Sequence, residues 1–198
     1  MTFTFNEDKH EYSLNDRRIP SVTQIIGEFI PTFKATDWHM NRGKAVHACA
    51  ELIANGVQFE CDPQIQGRVD AIYKFFREVK PVVMLTEKKV YSTVYQFAGK
   101  LDLYCIIDGK KYLLDWKSTL CPEMVALQCA GYSLTDQIKP LNVNYCIGVQ
   151  MNDDGTYKIS NPIDMRPYRN EFLAMRTVYG IKQRMKLMKS KQPAEETP

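Results

Sequence analysis

The sequence lacks several patterns that would assign a protein to a class at once. None of its six cysteines stands in a C-x-x-C pair, so a zinc ribbon or zinc knuckle is not expected. No apolar run approaches the length of a membrane span. The first ten residues, MTFTFNEDKH, contain no basic leader followed by an apolar stretch, so we expect no secretory signal. We therefore expect a cytoplasmic protein with reduced thiols and no membrane contact.

A strong excess of charge is also absent. The chain has 26 basic and 23 acidic residues, a formal net charge of +3. That value permits nucleic-acid binding but does not argue for it, because a local patch matters more than the total. With 198 residues and 44% hydrophobic content, the chain can form one domain with a substantial core. We expect that domain to span residues 1–190. The tail 191–198, KQPAEETP, is rich in proline and charge and is predicted to be disordered.

Periodicity and turn residues predict the order of the elements. Alternation over residues 2–5 and 12–14 predicts a small hairpin. Ser21 and Gln24 have the spacing of a capping box, which predicts the start of a short helix. Further helices are predicted over 41–56, 63–79, 122–134 and 167–190, and strands over 83–92, 96–108, 110–118, 143–152 and 156–163. This order predicts an α/β (α+β) fold in which helices flank a central mixed sheet.

The central hairpin has a register that can be counted from its turn. Asp108-Gly109 lies between two apolar runs and predicts a two-residue turn. Counting back from this turn places Asp102 directly opposite Asp115, with Cβ atoms roughly 4.5–5.5 Å apart. Lys117 lies two residues further and points the same way. The opposite face is predicted to be core and carries Leu101, Leu103, Cys105, Ile107, Tyr112, Leu114 and Trp116.

Two carboxylates that face each other repel unless a cation lies between them. Lys117 or Lys100 would supply that cation in a purely structural ion cluster. A divalent ion is the stronger neutraliser, because Mg²⁺ is held by one or two carboxylates plus phosphate oxygens. The neighbouring ammonium of Lys117 would then orient or help deprotonate a water and offset developing phosphate charge. The pattern therefore favours a metal-dependent phosphodiesterase centre.

Other residues allow a structural and a functional interpretation. His47 and Glu51 are four apart on one helix and share a face; the histidine is either structural or a ligand, and imidazole fits Mn²⁺ better than Mg²⁺. Gln128 and Tyr132 have the same spacing and either pack into the core or contact DNA. Glu87 either orients a ligand or is an ordinary exposed residue.

The last predicted helix has an apolar face and a basic end. The apolar face is predicted to carry Phe172, Met175, Val178 or Tyr179, and Met185. The basic residues at its end are Lys182, Arg184, Lys186, Lys189 and Lys191. They are either a solvated face favoured by the helix dipole or a surface that follows a phosphate backbone.

Several of these segments resemble the PD-(D/E)xK nuclease superfamily, in its RecB-like exonuclease branch. GKLDLY (99–104), LDWKS (114–118) and LQCAGY (127–132) resemble its Gly-x-x-Asp, Asp-x-Lys and Gln-x-x-x-Tyr motifs. His47 in RGKAVHACAEL matches the helical histidine upstream. IPSVTQII (19–26) is similar to a segment of phage-encoded exonucleases and of the mitochondrial genome maintenance exonuclease. The resemblance spans roughly residues 19–132, and the order and spacing of the motifs carry it.

The resemblance implies a restriction-endonuclease-like core and a DNA exonuclease of phage type that acts in recombination, repair or replication. Asp102 and Asp115 would bind one or two Mg²⁺ or Mn²⁺ ions, with His47 and the Trp116 carbonyl completing the shell. Lys117 would act on the attacking water. The residues implied in DNA contact are Gln128, Tyr132, Ser21, Arg42 and Lys100, and Glu51 and Glu87 would lie in the second shell or hold a second metal.

The resemblance also implies partners and alternatives. DNA, as a single strand or a duplex end, is the expected substrate, and a single-strand annealing protein is a candidate partner. Some relatives carry four cysteines for an iron–sulfur cluster, three of them near the C-terminus. Here the last cysteine is Cys146, so no such cluster is expected. An endonuclease on the same fold and a catalytically inactive DNA-binding module remain open as alternatives.

Overall fold

A computed structural model describes residues 1–7, 9–30 and 36–189 of the chain. The tail predicted to be disordered, 191–198, lies outside these residues. No helix in the described ranges is long and apolar enough to cross a membrane.

The described residues form nine strands and five α-helices. The strands are β1 (Phe3–Asn6), β2 (Glu11–Leu14), β3 (Arg17–Ile19), β4 (Val82–Ser92), β5 (Phe97–Ile107), β6 (Lys110–Lys117), β7 (Tyr145–Met151), β8 (Tyr157–Ile159) and β9 (Ile163–Asp164). The helices are α1 (Val22–Gly27), α2 (Asp37–Ala54), α3 (Gln66–Val79), α4 (Pro122–Ser133) and α5 (Arg166–Lys189). Short 3₁₀ turns precede α3 and β7.

The helix boundaries follow the capping residues of the sequence. Ser21 caps α1 and forms the predicted capping box with Gln24. Thr36 caps α2, so this helix begins four residues before the predicted start at residue 41. Its C-terminal end is as predicted, because Asn55 is the cap and Gly56 has φ of +69°, a conformation that glycine adopts without steric cost.

The main sheet has the strand order β4-β5-β6-β7-β8, and β9 also pairs with β7. Strands β6 and β7 run parallel, whereas the other neighbours are antiparallel. The sheet is therefore mixed. Helices α2 and α3 contribute to the core on one face and α1, α4 and α5 to the core on the other. This central six-stranded mixed sheet flanked by helices confirms the predicted fold class.

The N-terminal segment is a meander of three strands. Phe3 pairs with Leu14 as the predicted hairpin requires. The chain then turns back at Asn15-Asp16 and forms β3, which pairs with β2 and was not predicted, because its sequence, RRI, is too short to show alternation. The predicted strand over 156–163 is likewise divided, into β8 and β9.

The central hairpin has the predicted register. Five pairs connect β5 and β6, from Ile107–Lys110 at the turn to Leu103–Leu114. Asp108 and Gly109 both have positive φ, as the two-residue turn requires. The ladder ends at Leu103–Leu114, so Asp102 and Asp115 lie one position beyond the last pair rather than forming a cross-strand pair themselves.

The predicted core face of this hairpin is confirmed for Leu103, Cys105, Ile107, Tyr112, Leu114 and Trp116 and is wrong for Leu101. Leu103 belongs to the core on the α2–α3 side, whereas Leu101 belongs to the core on the α1–α4–α5 side. Tyr104 and Leu113 also lie in the second core. Both faces of the sheet are therefore buried, because helices cover both. The polar site occupies only one end of the hairpin.

The second half of α5 differs from its predicted apolar face. Phe172 is buried, and Met175 and Tyr179 pack against the same core. Val178 is 42% exposed and Met185 is 54% exposed. The prediction that Met185 faces the core is wrong, because the residues of α5 that pack against the core end at Tyr179.

Candidate metal centre

The site begins at an interruption of the ladder between β4 and β5. Thr86 pairs with Leu103 and Lys88 with Leu101, but Glu87 and Asp102 between them do not pair. Glu87 has φ of +45°, a left-handed conformation that costs a non-glycine residue on the order of 1–3 kcal/mol. Across this interruption the alternation of β5 reverses, which explains why Leu101 and Leu103 face opposite cores.

The interruption brings two carboxylates to the histidine of α2. The Nδ1 atom of His47 lies 3.3 Å from Oε1 of Glu87 and 3.4 Å from Oδ1 of Asp102. Each of the three residues offers one ligand atom, and these atoms all lie within 4.8 Å of one another. Within the described ranges, no other group of three or more His, Cys, Asp or Glu residues meets this distance.

The charges of this group are strongly coupled. Burial alone would lower the pKa of His47, but the negative charges of Asp102 and Glu87 outweigh it and raise the pKa to about 10. Burial alone would raise the pKa of Asp102, but the positive charges of His47 and Lys117 and the hydrogen bond from the Trp116 amide lower it. The two carboxylates therefore require a positive charge beside them, which a protonated histidine supplies when no metal is bound.

Asp115 lies next to this group and is 1% exposed. Its Oδ1 atom accepts a 2.8 Å hydrogen bond from Nε2 of Gln128, and Nζ of Lys117 lies 2.6 Å from its Oδ2 atom. Burial and the charge of Asp102 raise the pKa of Asp115 to about 6, against the opposing effect of Lys117. A third buried carboxylate in such a position is stable as an anion only with a cation at hand.

Two buried carboxylate oxygens in the site accept no hydrogen bond: Oε2 of Glu87 and Oδ2 of Asp115. Each forms an ion pair with a lysine amine, from Lys100 and Lys117 respectively. Buried polar atoms without such a partner are rare in proteins. Three carboxylates and one imidazole form a donor set that fits Mn²⁺ or Mg²⁺.

Gln128 and Tyr132 of α4 support Asp115 from inside the fold. Gln128 donates to Asp115, accepts a 3.0 Å hydrogen bond from Nζ of Lys117 and contacts the Tyr132 hydroxyl at 3.2 Å. Tyr132 is buried, and burial followed by the charges of Asp102 and Asp115 raises its pKa well above the usual value. The structure therefore places Gln128 and Tyr132 where they orient Asp115 and Lys117.

Gly99 makes room for the Tyr132 ring. A Cβ atom on Gly99 would lie 2.6 Å from Cε1 of Tyr132, which is closer than real contacts allow. We expect Gly99→Ala to lower the free energy of unfolding by about 1–3 kcal/mol, the usual cost of overpacking, as measured by urea denaturation.

Gly43→Ala is the matched control, because a Cβ atom there meets nothing within 4 Å. Gly43 lies within α2, where alanine is the better helix former by about 1 kcal/mol. Equal stability of Gly99→Ala and the wild-type protein would contradict the close packing of the Tyr132 ring against Gly99 of β5.

The backbone of Trp116 takes part in the site, while its side chain is core. Its amide donates a 2.8 Å hydrogen bond to Oδ2 of Asp102. The indole is buried and meets the ring of Phe75 edge to face, with centroids 5.3 Å apart. The aromatic anchor thus fixes the strand that carries Asp115 and Lys117.

The remaining predicted site residues lie at different distances from the group. Lys100 forms an ion pair with Glu87, and Arg42 stacks on the ring of Trp38 at 4.3 Å. Ser21 is buried and uses its hydroxyl to cap α1. Glu51 does not belong to the three-residue group, whereas Glu87 does.

Two cavities open on the site, and His47 lines both. One, of about 530 Å³, is lined in part by Arg42, Arg68, Lys117 and Thr119. The other, of about 550 Å³, is lined in part by Ser21, Lys100, Asp102, Gln128 and Tyr132. The sequence interpretation did not include Arg68 or Thr119. Thr119 lies two residues after Lys117, and this short spacing was the only sequence feature that could have placed Thr119 at the site.

Comparisons with known proteins give the following results. No family model matches the sequence, and no curated protein matches it. A crystal structure of LHK-Exo in complex with dAMP is similar with a TM-score of 0.41 and 16% identity, covering 86% of this chain and 94% of that chain. A crystal structure of an alkaline exonuclease (LHK-Exo) from Laribacter hongkongensis gives 0.40 and 14%, covering 85% and 93%.

These likenesses are below 25% identity and have TM-scores under 0.5, so neither is used to assign a function. The function is inferred from the geometry of the site itself. Neither structure is of the mitochondrial exonuclease. The similarity of residues 19–26, IPSVTQII, to a segment of that protein stays a prediction.

Proposed function

We propose that this protein is a divalent-metal-dependent deoxyribonuclease that hydrolyses phosphodiester bonds, acting as an exonuclease. The observation that carries the proposal is the group formed by buried Glu87 and Asp102 with the partly exposed His47, with Asp115 and Lys117 beside it. The combination of carboxylates, imidazole and ammonium in one solvent-connected site is what metal-assisted phosphodiester hydrolysis requires. The order of sequence motifs supports the same activity.

In this proposal Asp102, Glu87 and His47 hold Mg²⁺ or Mn²⁺, and Asp115 completes the shell with the Trp116 carbonyl. A divalent ion bound there would activate a water and neutralise phosphate charge. Gln128 holds the carboxylate of Asp115 and the amine of Lys117 in fixed positions. Trp116 keeps Asp102 in place through its amide.

Lys117 has a role that follows from its charge. Burial would lower the pKa of Lys117, but the charges of Asp115 and Asp102 outweigh it and raise the pKa above its usual value. The amine is therefore protonated at neutral pH and does not act as a base in this state. It instead offers positive charge to the negative charge that develops on the phosphate oxygens.

The proposal extends to substrate and setting. DNA with a free end is the substrate, and recombination, repair or replication of phage type is the process that the motif resemblance favours. A nuclease that cuts within a strand is the second candidate, because both cavities beside His47 are open to solvent.

The test compares end-labelled linear single-stranded and double-stranded DNA with circular single-stranded DNA, in the presence of Mg²⁺ or Mn²⁺. We expect progressive shortening of the linear substrates and intact circles. Cleavage of the circles at the same rate would replace the exonuclease by an endonuclease. Binding of DNA without cleavage of any substrate would favour a catalytically inactive DNA-binding module.

A further inference from the structure

A groove separate from the metal centre lies between the β3–α1 corner and residues 176–187 of α5. It has a volume of about 530 Å³ and is lined in part by Arg17, Arg18, Arg176, Arg184, Gln24 and Tyr179. Four arginines and no acidic residue line it. We refer to these six residues as the arginine groove.

The four arginines differ in how their charges are compensated. Arg18 pairs with Glu11 at 2.9 Å. Arg176 donates from Nε and Nη2 to the carbonyls of Tyr95 and Gln96, which are neutral acceptors. Arg17 and Arg184 are exposed and form no ion pair with any residue of the described ranges. The positive charge of the groove is therefore largely uncompensated.

Arg176 is affected by this crowding of like charge. Burial lowers its pKa, and the charges of Arg17 and Arg184 lower it further, against the effect of Tyr179. Guanidinium groups that lie close enough to repel one another favour binding of an anion between them. While no anion is bound, the hydrogen bonds to the carbonyls of Tyr95 and Gln96 hold Arg176 in place.

The other basic residues of α5 are arranged differently. Lys182 and Lys186 both pair with Glu28, at 2.9 Å and 3.4 Å, and do not line the groove. The basic end of the helix thus divides into a neutralised side at Glu28 and an uncompensated side at the groove. A solvated basic face alone would not separate the charges in this way.

The arginine groove adjoins the cavity of the metal centre at the first turn of α1. Pro20 and Gln24 line the groove, whereas Ser21 and Thr23, from the same turn, line the cavity that contains His47 and Asp102. One turn of helix separates the two. The two cavities are therefore neighbours across the start of α1.

We propose that the arginine groove binds the sugar–phosphate backbone of single-stranded DNA, several nucleotides from the scissile bond. The proposal rests on the proposed nuclease function for the identity of the ligand. Guanidinium groups recognise phosphate oxygens in pairs of parallel hydrogen bonds. The volume suits a short stretch of one strand, and contact with phosphates alone is independent of sequence.

The test measures binding of a fluorescent 20-nucleotide single strand and of a four-nucleotide strand by anisotropy, in EDTA. The variant is Arg17→Gln/Arg184→Gln. Each phosphate contact on a single strand contributes about 0.7 to the slope of log affinity against log salt. We therefore expect the slope to fall by about 1.4 and the Kd for the 20-mer to rise about 20-fold at 0.1 M salt.

The four-nucleotide strand is short enough to occupy the groove alone, so its Kd should also rise in the variant. Lys110→Gln/Lys158→Gln is the matched control, because it removes two exposed positive charges from β6 and β8, outside the groove. This control should bind the 20-mer and the four-nucleotide strand with the same affinities as the wild-type protein. The single variant Arg184→Gln, at an exposed helix position, repeats the test with one charge and about half the change in slope.

Equal binding of the 20-mer by the variant and the wild-type protein would overturn the proposal. An equal loss of 20-mer affinity in the Lys110→Gln/Lys158→Gln control, or no binding of the 20-mer by the wild-type protein, would also overturn it. Because no divalent ion is present, these outcomes do not depend on cleavage. A protein that binds through the groove but cleaves nothing would contradict the proposed function and leave the groove in place.

Discussion

Asp102→Asn is expected to reduce cleavage of linear DNA by at least about 10³-fold, which corresponds to about 4 kcal/mol of transition-state stabilisation. Asp102 belongs to the group that offers ligand atoms within 4.8 Å of one another. Asparagine keeps the shape and the acceptor for the Trp116 amide but removes the negative charge that a divalent ion requires. The measurement is the initial rate with Mn²⁺, beside calorimetric titration of Mn²⁺.

The matched control is Asp108→Asn, the same substitution at the turn between β5 and β6. Asp108 has φ of +48°, which asparagine tolerates well, so cleavage and metal binding should be unchanged. If Asp102→Asn cleaved DNA and bound Mn²⁺ as well as the wild-type protein, the group at the interrupted ladder would not be the metal site. An ion cluster with a purely structural role would then be the better interpretation.

Lys117→Ala is expected to lower kcat by about 10²–10³-fold, the effect of removing one preorganised positive or hydrogen-bonding group from a developing oxyanion. His47, Glu87 and Asp102 remain in this variant, so Mn²⁺ should still bind. The measurement is kcat with saturating DNA and Mn²⁺, together with the Kd for Mn²⁺. This separation of catalysis from metal binding distinguishes Lys117 from the ligands.

Lys110→Ala, at the exposed start of β6, is the control for the loss of a lysine from the same strand. It should leave kcat unchanged. An unchanged kcat in Lys117→Ala would contradict the charge-stabilising role. A loss of Mn²⁺ binding equal to that of Asp102→Asn would instead assign Lys117 to the integrity of the ligand group.

The sequence was sufficient to predict the central hairpin because its register depends on local chemistry. Asp108 and Gly109 specify the turn, and the turn specifies every pair as far as Leu103–Leu114. Helices α2, α3 and α4 follow from caps, prolines and apolar spacing in the same local way. The proximity of Asp115 and Lys117 followed from a spacing of two in a strand.

The geometry of the site was not predictable to the same extent, because long-range contacts determine it. His47 and Glu87 are 40 residues apart in sequence, and only tertiary packing brings them together. The interruption at Glu87 has no sequence marker, since glutamate rarely adopts positive φ. It is also the reason that Glu87 lies within reach of His47 and Asp102, although the sequence interpretation placed it in the second shell or at a second metal.

The exposed residues of α5 show another limit of sequence patterns. Met185 continues the apolar spacing of the helix but is exposed, because periodicity does not show where the neighbouring helices end. Lys182, Arg184 and Lys186 form one basic run in the sequence. Only the position of Glu28 divides this run into a neutralised side and the arginine groove.

The most direct test of metal-dependent DNA hydrolysis is the release of nucleotides from linear DNA by the purified protein with Mn²⁺, measured before and after excess EDTA is added. We expect release that begins with the metal and stops on chelation, because EDTA removes the divalent ion that Asp102 and Glu87 would hold. Release that continues unchanged in EDTA, or no release with any divalent ion, would contradict it.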